Sequence, residues 1–179
     1  GDALRPLLEF QGIMETAPVT VSVANLAGDF SVAQTSEIVQ TIVGFMQEVG
    51  CKPEMNLHNV GDLSLVKRWL LDTGIAKKPY YFRVSLGSPG WGYIEDPDTM
   101  FQSLSFMCRE LKKMDPDCSI MVDMAGRASL FTVAAAILLG FNGARVGMED
   151  TAPKEFAKEK KVEYDSYTDD NNEDFWADV

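Results

Sequence analysis

The chain has 179 residues, of which 46% are hydrophobic and 24% are charged, and this is enough for one domain with a packed core. Its formal net charge at pH 7 is -11, and residues 162–179 contain acidic side chains but no Lys or Arg. Nucleic-acid binding is therefore excluded as the expected function, because phosphate recognition needs clustered basic residues. No apolar run reaches the roughly 20 residues that a membrane-spanning helix requires.

The cysteines indicate the redox compartment of the chain, and the first residue indicates how the chain is produced. Cys51, Cys108 and Cys118 are odd in number and form no C-x-x-C pair. This usage is typical of a reducing compartment, either the cytoplasm or the interior of an organelle, and the choice between them stays open. The sequence begins with Gly1 rather than Met, so we expect a processed product or a fragment of a longer protein.

Strand and helix patterns alternate along the chain after a weak helical pattern at residues 4–10. β-branched or apolar runs predict strands at residues 19–24, 54–58, 80–86, 119–124 and from 141 onward. Apolar periodicity predicts helices at residues 36–49, 63–71, 97–111 and 129–139. Ser36 is the expected N-cap of the first of these helices, a turn at residues 25–28 closes the first strand, and Asp96-Pro97 begins the long helix.

This alternation, with strands that are nearly continuous in apolar residues, predicts an α/β fold with a parallel sheet and crossover helices. The order of the elements alone does not choose between an open sheet and a closed barrel. In both architectures functional residues gather at the carboxyl ends of the strands. The residues at or just after those ends are Asn25, His58, Asn59, Ser88, Gly90, Arg127, Glu149 and Asp150.

The last predicted strand carries one cation and two adjacent carboxylates. Because side chains alternate along a strand, Arg145 and Glu149 share one face, and Asp150 lies where the strand becomes a loop. Arg145 suits a planar carboxylate, whereas Glu149 as a metal ligand needs at least two further ligands. Substrate binding, a metal site, acid–base chemistry and a structural ion pair all remain open on these residues alone.

The stretch at residues 144–151, Ala-Arg-Val-Gly-Met-Glu-Asp-Thr, follows a helix of small residues that ends in Leu-Gly. It resembles the end of the barrel in the β-keto acid cleavage enzymes, the family typified by 3-keto-5-aminohexanoate cleavage enzyme. Residues 53–55, 82–87 and 126–127 resemble earlier segments of the same family in order and spacing. The resemblance covers residues 18–151, and its last motif is the specific part.

The resemblance implies a (β/α)8 TIM barrel that binds a divalent metal, usually zinc. Such enzymes condense a β-keto acid with acetyl-CoA and cleave the adduct to acetoacetate and a new CoA thioester. By this resemblance Glu149 is a metal ligand, Arg145 anchors or polarises the keto acid, and Asp150 joins the proton transfers. Gly87 and Gly90 lie in a glycine-rich loop that could contact a CoA phosphate, but the P-loop Lys and spacing are missing, which favours an ordinary βα loop.

The family takes its other metal ligands from a His-x-His motif on the second strand, whereas this chain has one histidine, His58, which does not replace that pair. The chain resembles the family only from just before the fourth strand. We therefore expect residues 1–152 to form a partial barrel of about five strands. The expected function is that of a degenerate, non-catalytic relative that serves as a subunit of a larger assembly. The alternative is a split or truncated enzyme whose zinc site is completed by another segment.

Open sheet edges need covering, so we expect protein partners there, with acetyl-CoA and a β-keto acid as further partners of an active form. Residues 153–179 form a separate C-terminal tail that is mostly acidic and contains Tyr164, Tyr167, Phe175 and Trp176. This mixture predicts a peptide that docks on a basic partner surface, and plain disorder is the alternative.

Overall fold

The computed structural model of the chain describes residues 15–22, 24–26, 30–32, 34–86, 96–123 and 129–146. The strands in these ranges are β1 (Thr16–Thr20), β2 (Ala24–Leu26), β3 (Phe30–Val32), β4 (Lys52–Leu57), β5 (Tyr81–Ser85), β6 (Ser119–Asp123) and β7 (Gly143–Arg145). The helices are α1 (Ser36–Glu48), α2 (Asp62–Val66), which a π-helical turn at Lys67–Leu71 continues, α3 (Pro97–Met114) and α4 (Ser129–Leu139).

Among the described residues, five parallel strands form one sheet in the order β1-β4-β5-β6-β7. A helix lies between each strand and the next in this order, which confirms the predicted α/β fold of parallel βα units. Strand order follows chain order without reversal, as in a barrel, whereas a doubly wound sheet reverses its order at a switch point. The sheet corresponds to part of a (β/α)8 barrel.

The two faces of the sheet differ, which corrects the expectation of nearly continuous apolar strands. One face packs against the helices and carries buried Met55, Phe82 and Val122. The opposite face, here called the inner face, carries polar or ionisable side chains at the alternate positions. They include Glu54, Asn56, Tyr81, Arg83, Ser85 and Asp123. Strands of a closed barrel alternate in this way because one set of side chains fills the interior.

The start of the sheet also differs from the prediction. The first strand was expected at residues 19–24 and a turn at 25–28. Instead β1 begins at Thr16, because its register is set by pairing with β4, and β2 and β3 form a separate antiparallel pair. Pro18 fits this position because β1 is the edge of the described sheet, where a missing N–H is tolerated.

Two helix starts test the capping predictions. Thr35, rather than Ser36, caps α1, since Thr35 has extended backbone angles and its hydroxyl accepts a 3.3 Å hydrogen bond from the Ile38 N–H. Asp96 caps α3 and Pro97 is its first residue, as predicted.

Several predicted segments lie outside the described residues: the helix at 4–10, the glycine-rich loop at 87–92, the strand beyond 146 and the tail. Within the described part of the chain, no helix combines the length and apolar character needed to span a membrane.

Candidate active site

Strand register arranges the inner face in layers across the strands. The middle layer contains Asn56, Arg83, Met121 and Gly143, which are register partners on β4, β5, β6 and β7. The layer nearest the carboxyl ends contains Ser85, Asp123 and Arg145, and His58 directly follows β4 beside it. We call these four residues the upper layer. Parallel α/β barrels place their active sites at this end of the strands.

Arg83 connects the lower and upper parts of the inner face through two carboxylates. Its Nη1 lies 3.2 Å from Glu54 Oε1, and its Nε lies 3.6 Å from Asp123 Oδ1. Only 12% of the Arg83 side chain is exposed. Removing this cation would leave two buried carboxylates without their shared partner, and uncompensated buried charge is strongly destabilising.

Tyr81 adds a second partner for Glu54. Burial, followed by the charge of Glu54 and a hydrogen bond to it, raises the pKa of Tyr81 to about 12, although Arg83 acts in the opposite direction. The phenol is therefore protonated at neutral pH and lies beside the Glu54 carboxylate, while its hydroxyl also lies 3.5 Å from Met121 Sδ as a donor. Glu54 is thus held by a guanidinium and a phenol, and it is not positioned as an open acid–base group.

Asp123 and Arg145 form the rim of the upper layer. Arg145 Nη1 lies 4.0 Å from Asp123 Oδ2, and 48% of the Arg145 side chain is exposed. Burial raises the pKa of Asp123, while Arg83, a hydrogen bond with the Ser85 side chain, and Arg145 oppose this rise. Asp123 lies between two guanidinium groups, so it can orient Arg145 towards a ligand at the carboxyl ends of the strands.

His58 is a neutral member of the upper layer. Burial, together with the charge of Arg83, lowers its pKa to about 4, and a hydrogen bond with the Ser85 backbone partly opposes the shift. At neutral pH the imidazole is uncharged and retains one donor and one acceptor nitrogen. It brings polarity to the layer without adding a third cation beside Arg83 and Arg145.

The loop after β4 is fixed by Asp62, the first residue of α2. Asp62 Oδ2 accepts hydrogen bonds from the His58 N–H at 2.7 Å, the Asn59 N–H at 3.2 Å and the Ser22 hydroxyl at 3.2 Å. Burial raises the pKa of Asp62, although these hydrogen bonds act to lower it. One carboxylate thus joins the segment after β1 to the segment after β4 and sets the backbone position of His58.

Of the predicted site residues, the structure describes Arg145 and places it in the upper layer. Gly87, Gly90, Glu149 and Asp150 lie outside the described residues. The described ranges contain no group of three or more His, Cys, Asp or Glu side chains that could hold a metal ion. Since Asp123 is engaged by two arginines, the described donors do not fit a zinc site.

Sequence alone did not single out Glu54, Arg83 and Asp123 as parts of the site. The signal was present as period-two alternation, with polar residues at 54, 56 and 58 and again at 81, 83 and 85. Interpreting these strands as buried on both faces concealed it.

Known proteins are similar to this chain in sequence and in fold. The family described as beta-keto acid cleavage enzyme matches residues 4–162. The 3-dehydrocarnitine:acetyl-CoA trimethylamine transferase of Rhizobium meliloti (strain 1021) is 26% identical over 123 residues, which are 69% of this chain and 38% of that protein.

Solved structures of ObcA are similar in fold. The apo form and the binary complex with oxaloacetate each have a TM-score of 0.62 and 18% identity, and each match covers 74% of this chain and 34% of ObcA. The ternary complex of ObcA with a C4-CoA adduct and oxalate has a TM-score of 0.57. The chain therefore spans 38% or less of the length of these relatives.

Proposed function

The chain belongs to the β-keto acid cleavage enzyme family, and from that premise we propose that it forms the carboxylate-binding side of a β-keto acid cleavage site. The remaining βα units of the barrel come from other segments of the same protein or from another chain. The upper layer carries this proposal, because it presents the half-exposed Arg145 guanidinium, oriented by Asp123, at the carboxyl ends of the strands.

In this proposal the protein condenses a β-keto acid with acetyl-CoA and releases acetoacetate and a new CoA thioester. Arg145 binds the keto acid carboxylate through paired N–H donors. Asp123 is the positioning residue that holds the guanidinium. His58 is neutral, so Arg145 supplies the positive charge at the binding position. Asp150 remains the proposed proton-transfer group, and Gly87 and Gly90 remain the proposed contacts for CoA.

The names of the relatives support this proposal, but we do not assign the relatives' own substrates to this chain. The Rhizobium relative is named for transfer involving acetyl-CoA, and ObcA was solved with oxaloacetate and with a C4-CoA adduct. Carboxylate recognition by Arg145 does not depend on the zinc predicted at Glu149, so the two can be tested separately.

The test is calorimetric titration of 3-oxohexanoate into the full-length protein, followed by turnover with acetyl-CoA. Arg145→Gln should weaken keto acid binding about 10- to 100-fold, because hydrogen bonds to charged groups contribute roughly 1.5–3 kcal/mol. Arg145→Lys should recover part of the affinity. Arg109→Gln, on the exposed side of α3, is the matched control and should bind as the natural protein does. Equal affinity in Arg145→Gln and the control would overturn the proposal.

A second function, a non-catalytic subunit, is supported by the surface of α4. Its exposed apolar side chains are Phe131, Val133, Ile137 and Leu138, and the last two are 74% and 73% exposed. A contiguous exposed apolar face is typical of a surface that packs against another element or protein. It lies on the helix that leads into β7, the edge of the described sheet. The acidic tail at 153–179 is the second proposed contact with a partner.

Sedimentation of the purified assembly separates this function from catalysis. Replacing Ile137 and Leu138 by Ser should lower the assembly mass if α4 docks on a partner, whereas Ile38→Ser on α1 should not. Intact assembly without turnover of any β-keto acid would favour the subunit function. Unchanged mass in the double variant would count against the α4 contact.

A further inference from the structure

We infer that the inner face selects β-keto acids whose distal end carries an uncharged hydrogen-bond donor, such as a hydroxyl, and that Asn56 recognises it. This inference rests on the proposed function and adds a substrate class to it.

Asn56 is the first observation. The residue is 2% exposed and lies in the middle layer, where it is the register partner of Arg83. Its Oδ1 accepts no hydrogen bond from the part of the chain that the structure describes. A buried amide oxygen is costly without a donor, and most buried polar atoms in folded proteins have one. A ligand donor at this position would satisfy it.

The charge balance of the inner face is the second observation. Glu54 is engaged by Arg83 and Tyr81, and Asp123 is engaged by Arg83 and Arg145. The two carboxylates thus face two guanidinium groups. A cationic substituent beside Asn56 would meet Arg83 on the next strand, while Glu54 and Asp123 already face guanidinium groups, Glu54 at 3.2 Å and Asp123 at 3.6 and 4.0 Å. Like charges in a poorly hydrated site repel strongly.

A second anionic group is disfavoured for the complementary reason. A carboxylate could accept from the amide N–H groups of Asn56, but it would leave Oδ1 without a donor. The neutral imidazole of His58 adds no further cation to the two guanidinium groups, which already face two carboxylates. An uncharged donor is the group that fits both the amide oxygen and the balanced charges.

The spacing suits a small substrate. Asn56 on β4 and Arg145 on β7 lie three strands apart, which corresponds to about 14 Å between strand axes. The long Arg145 side chain covers part of this distance. A keto acid of several carbons, with its carboxylate at Arg145, would place its distal group towards Asn56.

The experiment compares three acids that differ in one substituent: 3-oxohexanoate, 5-hydroxy-3-oxohexanoate and 5-amino-3-oxohexanoate. Calorimetric titration of each into the full-length protein should give the tightest binding for the hydroxy acid. We expect it to bind about 3- to 10-fold more tightly than the unsubstituted acid, as one hydrogen bond allows. 5-Amino-3-oxohexanoate should bind most weakly of the three.

Substitution of Asn56 then tests its role. In Asn56→Leu, 5-hydroxy-3-oxohexanoate and 3-oxohexanoate should bind with about equal affinity, because the acceptor of the hydroxyl is lost. Asn56→Asp adds a carboxylate and should shift the preference towards 5-amino-3-oxohexanoate. Gln102→Leu, on the exposed side of α3, should leave the ranking as it is.

The outcomes separate the inference from the proposed function. Two results would overturn the inference while leaving carboxylate binding intact. One is tightest binding of 5-amino-3-oxohexanoate by the natural protein. The other is tighter binding of the hydroxy acid than of the unsubstituted acid in Asn56→Leu. Binding of none of the three acids would overturn the proposed function and the inference with it. The ranking in the natural protein decides the matter even if a variant does not fold.

Discussion

Single residues on the inner face are understood only as members of a charge network. Arg83 would be unfavourable in a buried position by itself, as would Glu54 and Asp123. Together they compensate one another across three neighbouring strands, with contacts of 3.2 and 3.6 Å. Burial is the main cause of the lowered pKa of His58, and the Arg83 guanidinium of this network lowers it further because it disfavours a second positive charge nearby.

His58 gives a prediction about pH. Its folded pKa of about 4 lies below the ordinary value of 6.5, so between these values the unfolded chain binds more protons. Stability therefore rises with pH in this window and is lost as the pH falls through it. From pH 7 to pH 5 the contribution of His58 should fall by up to about 2 kcal/mol.

Urea unfolding at both pH values, compared between the natural protein and His58→Asn, isolates this contribution. The comparison is needed because burial raises the pKa of Asp62 and Asp123, which oppose the trend of His58. His58 is the single histidine of the chain, so its proton NMR signal can be titrated directly in untagged protein. A midpoint near 6.5 would contradict the prediction.

At the scale of elements, local sequence patterns predicted most strands and helices. Asp96-Pro97 marks the start of α3 correctly because a cap and a first-turn proline act within one turn. The start of β1 and the β2–β3 pair were missed because strand pairing is non-local: β1 begins where β4 offers a partner. The same reason explains the missed network, since only the register brings Arg83 between Glu54 and Asp123.

Asp62 gives a prediction about how loops and helices hold the site. Asp62→Ala should destabilise the protein by about 3 kcal/mol, because it leaves the buried His58 N–H and the Ser22 hydroxyl without their acceptor. Asp72→Ala is the matched control on the same helical segment. Asp72 pairs with Lys67 at 2.6 Å, but both side chains are about half exposed, and we expect no measurable change.

Urea unfolding measures both effects, and the imidazole signal of His58 provides a second readout. The signal should shift in Asp62→Ala because the backbone of His58 loses its anchor, and it should stay unchanged in Asp72→Ala. Equal stability of the two variants would show that the Asp62 hydrogen bonds do not hold the loop.

On the scale of the whole molecule, the described sheet has an inner face on which charged side chains face one another, and two edges, β1 and β7. The family and the fold were predictable from the sequence because the motif at residues 144–151 is local and specific. A metal site is a different case, since its ligands come from several strands. The described residues hold no such group, and in our proposal the zinc ligands are Glu149 and residues of further βα units.

Zinc content of the purified full-length protein or its assembly tests this requirement. If a completed barrel binds the metal, mass spectrometry should find about one zinc per site, and Glu149→Ala should lose it. Asp123→Asn is the matched control: its carboxylate is already shared by Arg83 and Arg145, so zinc should be retained although keto acid binding weakens. If Asp123→Asn loses zinc and Glu149→Ala keeps it, the metal binds at the inner-face network and not at Glu149. Absence of zinc from the natural assembly would remove Glu149 as a metal ligand and favour the non-catalytic subunit.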